Sequence, residues 1–158
     1  MLLDKFDLQI LYHMQKNSRV KLAELAEKVC LSISQCSRRI TRMEEEGVIR
    51  GYSVRLSSKD LGLAITAMVF ISFEKRMMLS PREAMSCLLA HDEVIDCHVI
   101  TGTYDFIIKV KVESMEALSN FLSRVVGSVD GIRDIASHIV METLKENGPQ
   151  PIYGINPR

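Results

Sequence analysis

Residues 22–47 constrain the fold of this 158-residue chain more than any other stretch. Leu22, Leu25, Ala26 and Val29 fall at i, i+3, i+4 and i+7, the spacing of an amphipathic helix of about three turns. Only Cys30-Leu31-Ser32 separates it from a second helical pattern. That pattern opens with Ser32-Ile33-Ser34-Gln35, a Ser cap with Gln at capping-box spacing. Helices joined so tightly must cross steeply, and the small Ala26 permits the close approach. This is helix-turn-helix geometry. An earlier helix completes the bundle: Leu3, Phe6, Ile10, Leu11 and Met14 form its apolar face, and Asn17-Ser18 ends it. Asp4 and Asp7 favour its N-terminus through the helix dipole.

The second helix of the pair has two faces. Ile33, Cys36, Ile40 and Met43 recur at helical spacing and mark a buried stripe. Ser34, Arg38, Thr41 and Arg42 point the other way, with Gln35 and Arg39 on the flank. Short polar side chains near the start and arginines further along suit entry into a major groove. Ser32, Ser34, Gln35, Ser37, Arg38, Arg39 and Arg42 are therefore the candidate contacts to double-stranded DNA. Glu44, Glu45 and Glu46 lie at the far end, away from phosphate. The chain as a whole balances 20 Lys+Arg against 20 Asp+Glu. Through residue 60 it carries 11 basic against 8 acidic residues, and beyond that 9 against 12. Such a protein docks locally through its first third and does not cling to nucleic acid everywhere.

A hydrophobic fraction of 47% supports real cores. The longest apolar run, residues 61–73, is too short to span a bilayer. Asp4 and Asp7 stand where a secretion signal would be basic, so a cytoplasmic protein with no membrane partner is expected. Cys30, Cys36, Cys87 and Cys97 have no CxxC spacing and read as reduced, buried thiols. His91, Cys97 and His98 fit no zinc pattern, so no metal is expected.

Residues 48–56 have strand character, and Ser57-Ser58-Lys59-Asp60 reads as a turn. The domain boundary therefore falls within a strand linker at 51–63, after a DNA-binding domain at 1–50. Residues 64–146 alternate four strand signals with two helix signals. Strands are expected at 64–73, 94–101, 104–112 and 132–141. Helices are expected from Ser80-Pro81-Arg82-Glu83 to about His91, and from Ser114 to Gly127. Gly102-Thr103 marks a hairpin between the middle strands. The order βαββαβ is the ferredoxin-like arrangement, an α+β fold with both helices on one face of the sheet. Phe70, Val99 or Ile100, and one of Ile107 and Ile108 fall on the bare face, which implies burial against a second copy. A Pro/Gly-rich tail follows at 147–158, in which Ile152, Tyr153 and Ile155 are candidate anchors on a partner surface.

Several short motifs carry a family likeness: Leu3-Asp4 with Asp7 and Ile10-Leu11, Asn17-Ser18-Arg19, Leu25-Ala26 with Val29, and Leu31-Ser32. Cys36, Arg39-Ile40 and Arg42-Met43-Glu44 follow, then Gly47-Val48-Ile49-Arg50-Gly51-Tyr52, Leu61-Gly62 and Thr101-Gly102-Thr103-Tyr104-Asp105. In this order and spacing the chain resembles the Lrp/AsnC family of leucine- and asparagine-responsive bacterial and archaeal regulators over residues 3–146. Two positions depart from the family's habit: Cys30 stands where glycine is usual, and Gln35 where proline or a small residue is common. A cysteine held at positive φ there costs about 1 kcal/mol.

The resemblance implies a (winged) helix-turn-helix three-helix domain and a βαββαβ effector-binding and dimerisation domain. It further implies a homodimer assembling to an octamer, no resident cofactor, and an amino-acid-like effector bound between subunits near residues 102–105. In that loop Gly102 lets backbone N–H groups face a carboxylate, Asp105 suits an ammonium, and Thr101 and Thr103 offer hydroxyls. Tyr104 would line the site, with Ser137 or His138 reaching it from across the interface. The same loop also reads as a plain hairpin in which Asp105 caps a backbone N–H. The function this implies is an amino-acid-responsive transcription regulator and not an enzyme. Two other readings compete: an architectural DNA-binding protein without effector, and an enzyme like the siroheme decarboxylases, which resemble this two-domain layout. A decarboxylase would need basic partners for tetrapyrrole propionates, and the C-terminal domain is net acidic.

Overall fold

The computed structural model describes residues 2–74 and 80–152. The chain forms two compact units: one runs to Arg55 and includes the segment from Lys145, and the other is Leu56–Leu144.

In the first unit, α1 (Lys5–Lys16), α2 (Leu22–Val29) and α3 (Ile33–Glu45) follow from local capping. Asp4 caps α1 by accepting from the N–H groups of Phe6 and Asp7, and the Asp7 side chain accepts from the Asp4 N–H in return. The turn between α2 and α3 is made by Cys30 at φ 55°, ψ 45°, the left-handed conformation that glycine adopts without strain. Ile10, Leu25, Ala26, Val29, Cys36 and Met43 form the core, with Leu3, Leu11, Met14 and Ile40 packed against it.

Ile33 and residues 48–56 depart from expectation in this unit. Ile33 is 52% exposed: it occupies the first helical position of α3, and the core stripe begins one turn later at Cys36. Residues 48–56 form no strand among the described residues, so the expected strand character is not realised there. A strand exists only with a ladder partner. None pairs with this segment, and Val54 is left 81% exposed. A turn at residues 57–62 follows, closed by the Leu61 and Leu63 N–H groups on the Ser57 and Ser58 carbonyls. The later segment forms no helix or strand. Gln150 exchanges hydrogen bonds with the Gln15 side chain, and the Asn147 carbonyl accepts from Arg55. Ile152 is half-buried, whereas Tyr153 and Ile155 lie outside the described residues.

The second unit is a four-stranded antiparallel sheet of β1 (Ile65–Phe73), β2 (Val94–Val99), β3 (Phe106–Val112) and β4 (Ile132–Ile139), in the order β2-β3-β1-β4. Alternate residues Ala67, Val69, Ile71 and Phe73 of β1, and Phe106, Ile108, Val110 and Val112 of β3, are buried on one face. Met85, Leu88, Leu118, Phe121 and Val126 cover them. Each fully buried side chain of this size contributes about 1.5–3 kcal/mol.

The helix expected to reach His91 is shorter. α4 (Pro81–Ala84) stops after one turn, and a 3-10 turn spans Leu88–Ala90. The Ser86 hydroxyl donates to the Glu83 carbonyl and competes with the helical ladder there. The second helix begins as α5 (Met115–Asn120), widens to a π-helical turn over Phe121–Val125 and tightens to a 3-10 turn at Val126–Ser128.

The opposite sheet face carries Phe70 between Ile107 and Ala136, and Met68 between Lys109 and His138. Ile107 is the member of its pair on this face, since Ile108 is buried under the helices. Val99 pairs with the helix-covered Phe106 and so does not belong to the bare face. The thiols also divide: Cys36 is buried and Cys97 half-buried, but Cys30 and Cys87 are exposed, because each stands in a surface turn. Burial raises the Cys36 thiol pKa, with Arg39 pulling weakly the other way.

Candidate nucleic-acid interface and effector site

The N-terminus of α3 is built by a reciprocal cap. The Gln35 N–H donates to Ser32 Oγ at 3.2 Å, and the Ser32 N–H donates to Gln35 Oε1 at 3.0 Å. Ser32 Oγ also lies 3.1 Å from Ser34 Oγ. Ser32 is thereby occupied with the cap, and Gln35 keeps only its amide nitrogen free to reach outward. Ser34, Ser37, Arg38, Thr41 and Arg42 are exposed along one side. Ile33 stands exposed at their head, an apolar surface that helical periodicity alone assigns to the core.

The three arginines expected at this face have different surroundings. Arg38 makes no ion pair among the described residues. Arg39 bridges Asp4 Oδ2 and Asp7 Oδ1, both at 2.7 Å, and its guanidinium lies over the Phe6 ring. Arg42 donates to Asp7 Oδ2 at 2.7 Å. Together the three line a depression of about 280 Å³. The hydrogen bond to Asp7 raises the Arg39 pKa; burial opposes it and Asp4 adds to it. For Asp4, burial works against ionisation, but the Asp7 N–H, the Arg39 guanidinium and the Phe6 N–H outweigh it. They hold the carboxyl below its usual range. Sequence periodicity places Arg39 on a flank but carries no sign of these pairs, which span 32 and 35 residues.

In the second unit, the connection between β2 and β3 is the six-residue loop 100–105 and not a two-residue hairpin. The Ile100 N–H closes it on the Asp105 carbonyl at 2.9 Å. Thr101, Gly102 and Thr103 are exposed, with Gly102 at φ +123°. The backbone N–H groups of residues 101–104 donate to no described residue, which leaves four adjacent donors at the loop tip. Asp105 is half-buried and bound at both ends: its N–H donates to the Ile71 carbonyl at 3.0 Å, and its Oδ2 accepts from the Phe73 N–H at 2.8 Å. Between those residues sits Ser72, whose buried hydroxyl has no partner among the described residues. Nothing in the strand pattern singles it out.

The ring of Tyr104 packs on Phe70 at 5.5 Å, and His138 meets Phe70 edge-on at 5.5 Å. Tyr104 and His138 thus come together on the bare sheet face. Ser137 has the opposite strand parity. It lines, with Met115, Leu118, Ser119, Leu122, Ile139 and also His138, a depression of about 400 Å³ beside α5.

A capped helix-turn-helix bearing an exposed polar and arginine face, with a separate βαββαβ unit, defines a two-part regulator that binds DNA and a ligand. Residues 3–50 match the winged helix-turn-helix DNA-binding family, and residues 66–150 match the Lrp/AsnC ligand binding domain family. The chain belongs to the Lrp/AsnC family of transcription regulators. It is 29% identical over 145 residues to the leucine-responsive regulatory protein of Klebsiella pneumoniae, covering 92% of this chain and 88% of that one. Among solved structures, it is similar to the L-Met complex of a transcriptional regulator from Neisseria meningitidis. The identity there is 30% and the TM-score 0.85, over 96% of this chain and 97% of the other. It is also similar to AsnC of E. coli, at 28% identity and TM-score 0.83, over 92% and 97% of the two chains.

Proposed function

We propose that this regulator binds specific duplex DNA through α3 and responds to a free amino acid held at the loop 100–105, acting in the cytoplasm as a homodimer that assembles further. The exposed row Ser34, Ser37, Arg38 and Arg42 supports the first part. Ser34, Ser37 and the free amide nitrogen of Gln35 approach base edges, Arg38 takes guanine or phosphate, and Ile33 suits a thymine methyl. Ser32 acts through the cap that orients the others. Replacing Arg38 with Ala is expected to weaken binding to a selected duplex by about 1–3 kcal/mol. Unchanged affinity in both Arg38→Ala and Arg42→Ala would defeat the assignment.

The four N–H groups of residues 101–104, which donate to no described residue, carry the second part. They suit an amino-acid carboxylate, and the remaining oxygen of Asp105 suits its ammonium. Thr101, Thr103 and Tyr104 line the loop, with His138 on the adjoining face; Ser137 suits the groove beside α5. The related Neisseria meningitidis regulator crystallised with L-Met supports an amino acid as the ligand class. A ligand here changes assembly by its differential affinity for two arrangements, typically about 1–3 kcal/mol. Calorimetry of the full chain against the twenty amino acids tests this, and no binding to any of them would refute it.

A further inference from the structure

Asp7 is fully buried, yet it is a carboxylate, and its two oxygens are occupied from α3. Oδ1 accepts from Arg39 at 2.7 Å, and Oδ2 accepts from Arg42 at 2.7 Å and from the Asp4 N–H at 3.0 Å. A buried charge is tolerated only when its acceptors are filled, as they are here. Packing alone does not call for it, since an apolar side chain would hold α1 against α3 without the desolvation cost. Its consequence falls on the two arginines. The Arg39 side chain is only 20% exposed and bridges two carboxylates. The Arg42 side chain is 44% exposed and is held through one nitrogen, so part of its planar guanidinium stays open to solvent.

We propose that Asp7 is a positioning residue for DNA recognition, which withholds Arg39 from the duplex and aims Arg42. This rests on α3 being the DNA-reading helix. Three unrestrained guanidiniums on neighbouring positions would attract phosphate on any duplex, whatever its sequence. With Asp7 in place, α3 presents Arg38 and the outer edge of Arg42 only. General affinity falls and discrimination rises, because phosphate contacts fix register while base contacts specify. Asp4 completes the device, since its Oδ2 holds the same Arg39 nitrogen from the α1 cap.

The test uses the full chain with two duplexes of equal length, one selected by the parent protein from a random library and one with that sequence scrambled. Affinities are measured over a range of salt. Asp7→Asn keeps the shape and removes the charge. It is expected to tighten binding to the scrambled duplex and to steepen its log–log salt slope by about 0.9 for each arginine released. The selected-to-scrambled ratio should fall about tenfold, the size of one lost base contact. Equal weakening on both duplexes would mean that Asp7 only supports the fold, and would overturn the proposal. Where Asp7→Asn does not fold, two other variants decide. Arg39→Gln should leave the salt slope on the selected duplex unchanged, and Arg42→Gln should lower the selected-to-scrambled ratio about tenfold. A reduced slope in Arg39→Gln would show that Arg39 touches phosphate and would likewise overturn the proposal. A parent protein that selects no duplex at all would sink the reading of α3 itself, an outcome distinct from either.

Discussion

The Phe73 N–H donates to Asp105 Oδ2 at 2.8 Å, so the loop whose four N–H groups donate to no described residue is tied by its last residue to the end of β1. The carboxylate therefore has a structural bond as well as a proposed ligand. Asp105→Ala is expected to destabilise the protein by about 1–3 kcal/mol without any ligand, through the orphaned N–H. Asp105→Asn keeps an acceptor and should largely preserve the melting temperature while losing amino-acid affinity. Thermal denaturation and calorimetry on the two variants separate these roles. Undiminished amino-acid binding in Asp105→Asn would remove its charge from the site.

The bare sheet face sets a second expectation. Met68, Phe70, Ile107 and Ala136 form an apolar row with the rings of Tyr104 and His138 beside it. Such a face is covered by a second copy when the protein is an obligate dimer. A charge at its centre, in Phe70→Asp, should give monomers at micromolar concentration by light scattering. A dimer of unchanged mass would place the interface elsewhere.

Acid should weaken the first unit in two stages. The His13 pKa is lowered from its ordinary 6.5 by burial and then by Lys28 and Lys16, so the fold prefers the neutral ring. That contribution is complete above 6.5 and is lost as pH falls through the lowered folded value. The Asp4 pKa lies below its ordinary 3.8, because its hydrogen bonds outweigh burial. Its contribution is present above 3.8 and is lost as pH falls through the folded value. Melting temperatures followed by circular dichroism should fall across both windows, and Asp4→Asn should shrink the lower one, to which Glu24, held low by its hydrogen bond with Lys28, also contributes. A flat profile would contradict both assignments.

Cys30 holds φ 55° where glycine is free of strain. Cys30→Gly is expected to stabilise the protein by up to about 1 kcal/mol, the left-handed cost less the added freedom of the unfolded chain. Urea denaturation measures it. A loss of stability would mean that the thiol's 3.9 Å contact to the Glu27 carbonyl matters more than the backbone.

What depends on neighbours within about one helical turn or one strand pleat is legible in the order of residues. The helix pair around Cys30, the Ser32–Gln35 cap and the alternation that buries one face of β1 and β3 are of this kind. Hydrogen bonds and side-chain periodicity at i to i+4 encode them directly. Tertiary structure alone decided the rest. Periodicity puts Arg39 on the flank of α3, and only the fold brings Asp4 and Asp7 to it from another helix. Ile33 keeps the core periodicity yet lies outside the core, since burial depends on what packs opposite. Residues 48–56 have strand composition but no ladder partner, and a strand's hydrogen bonds must come from elsewhere in space. That one oxygen of Asp105 is taken by the Phe73 N–H depends on β1 arriving beside it, which the turn sequence does not show. Each of these outcomes is a choice among partners distant in the chain, and close packing of whole elements makes that choice.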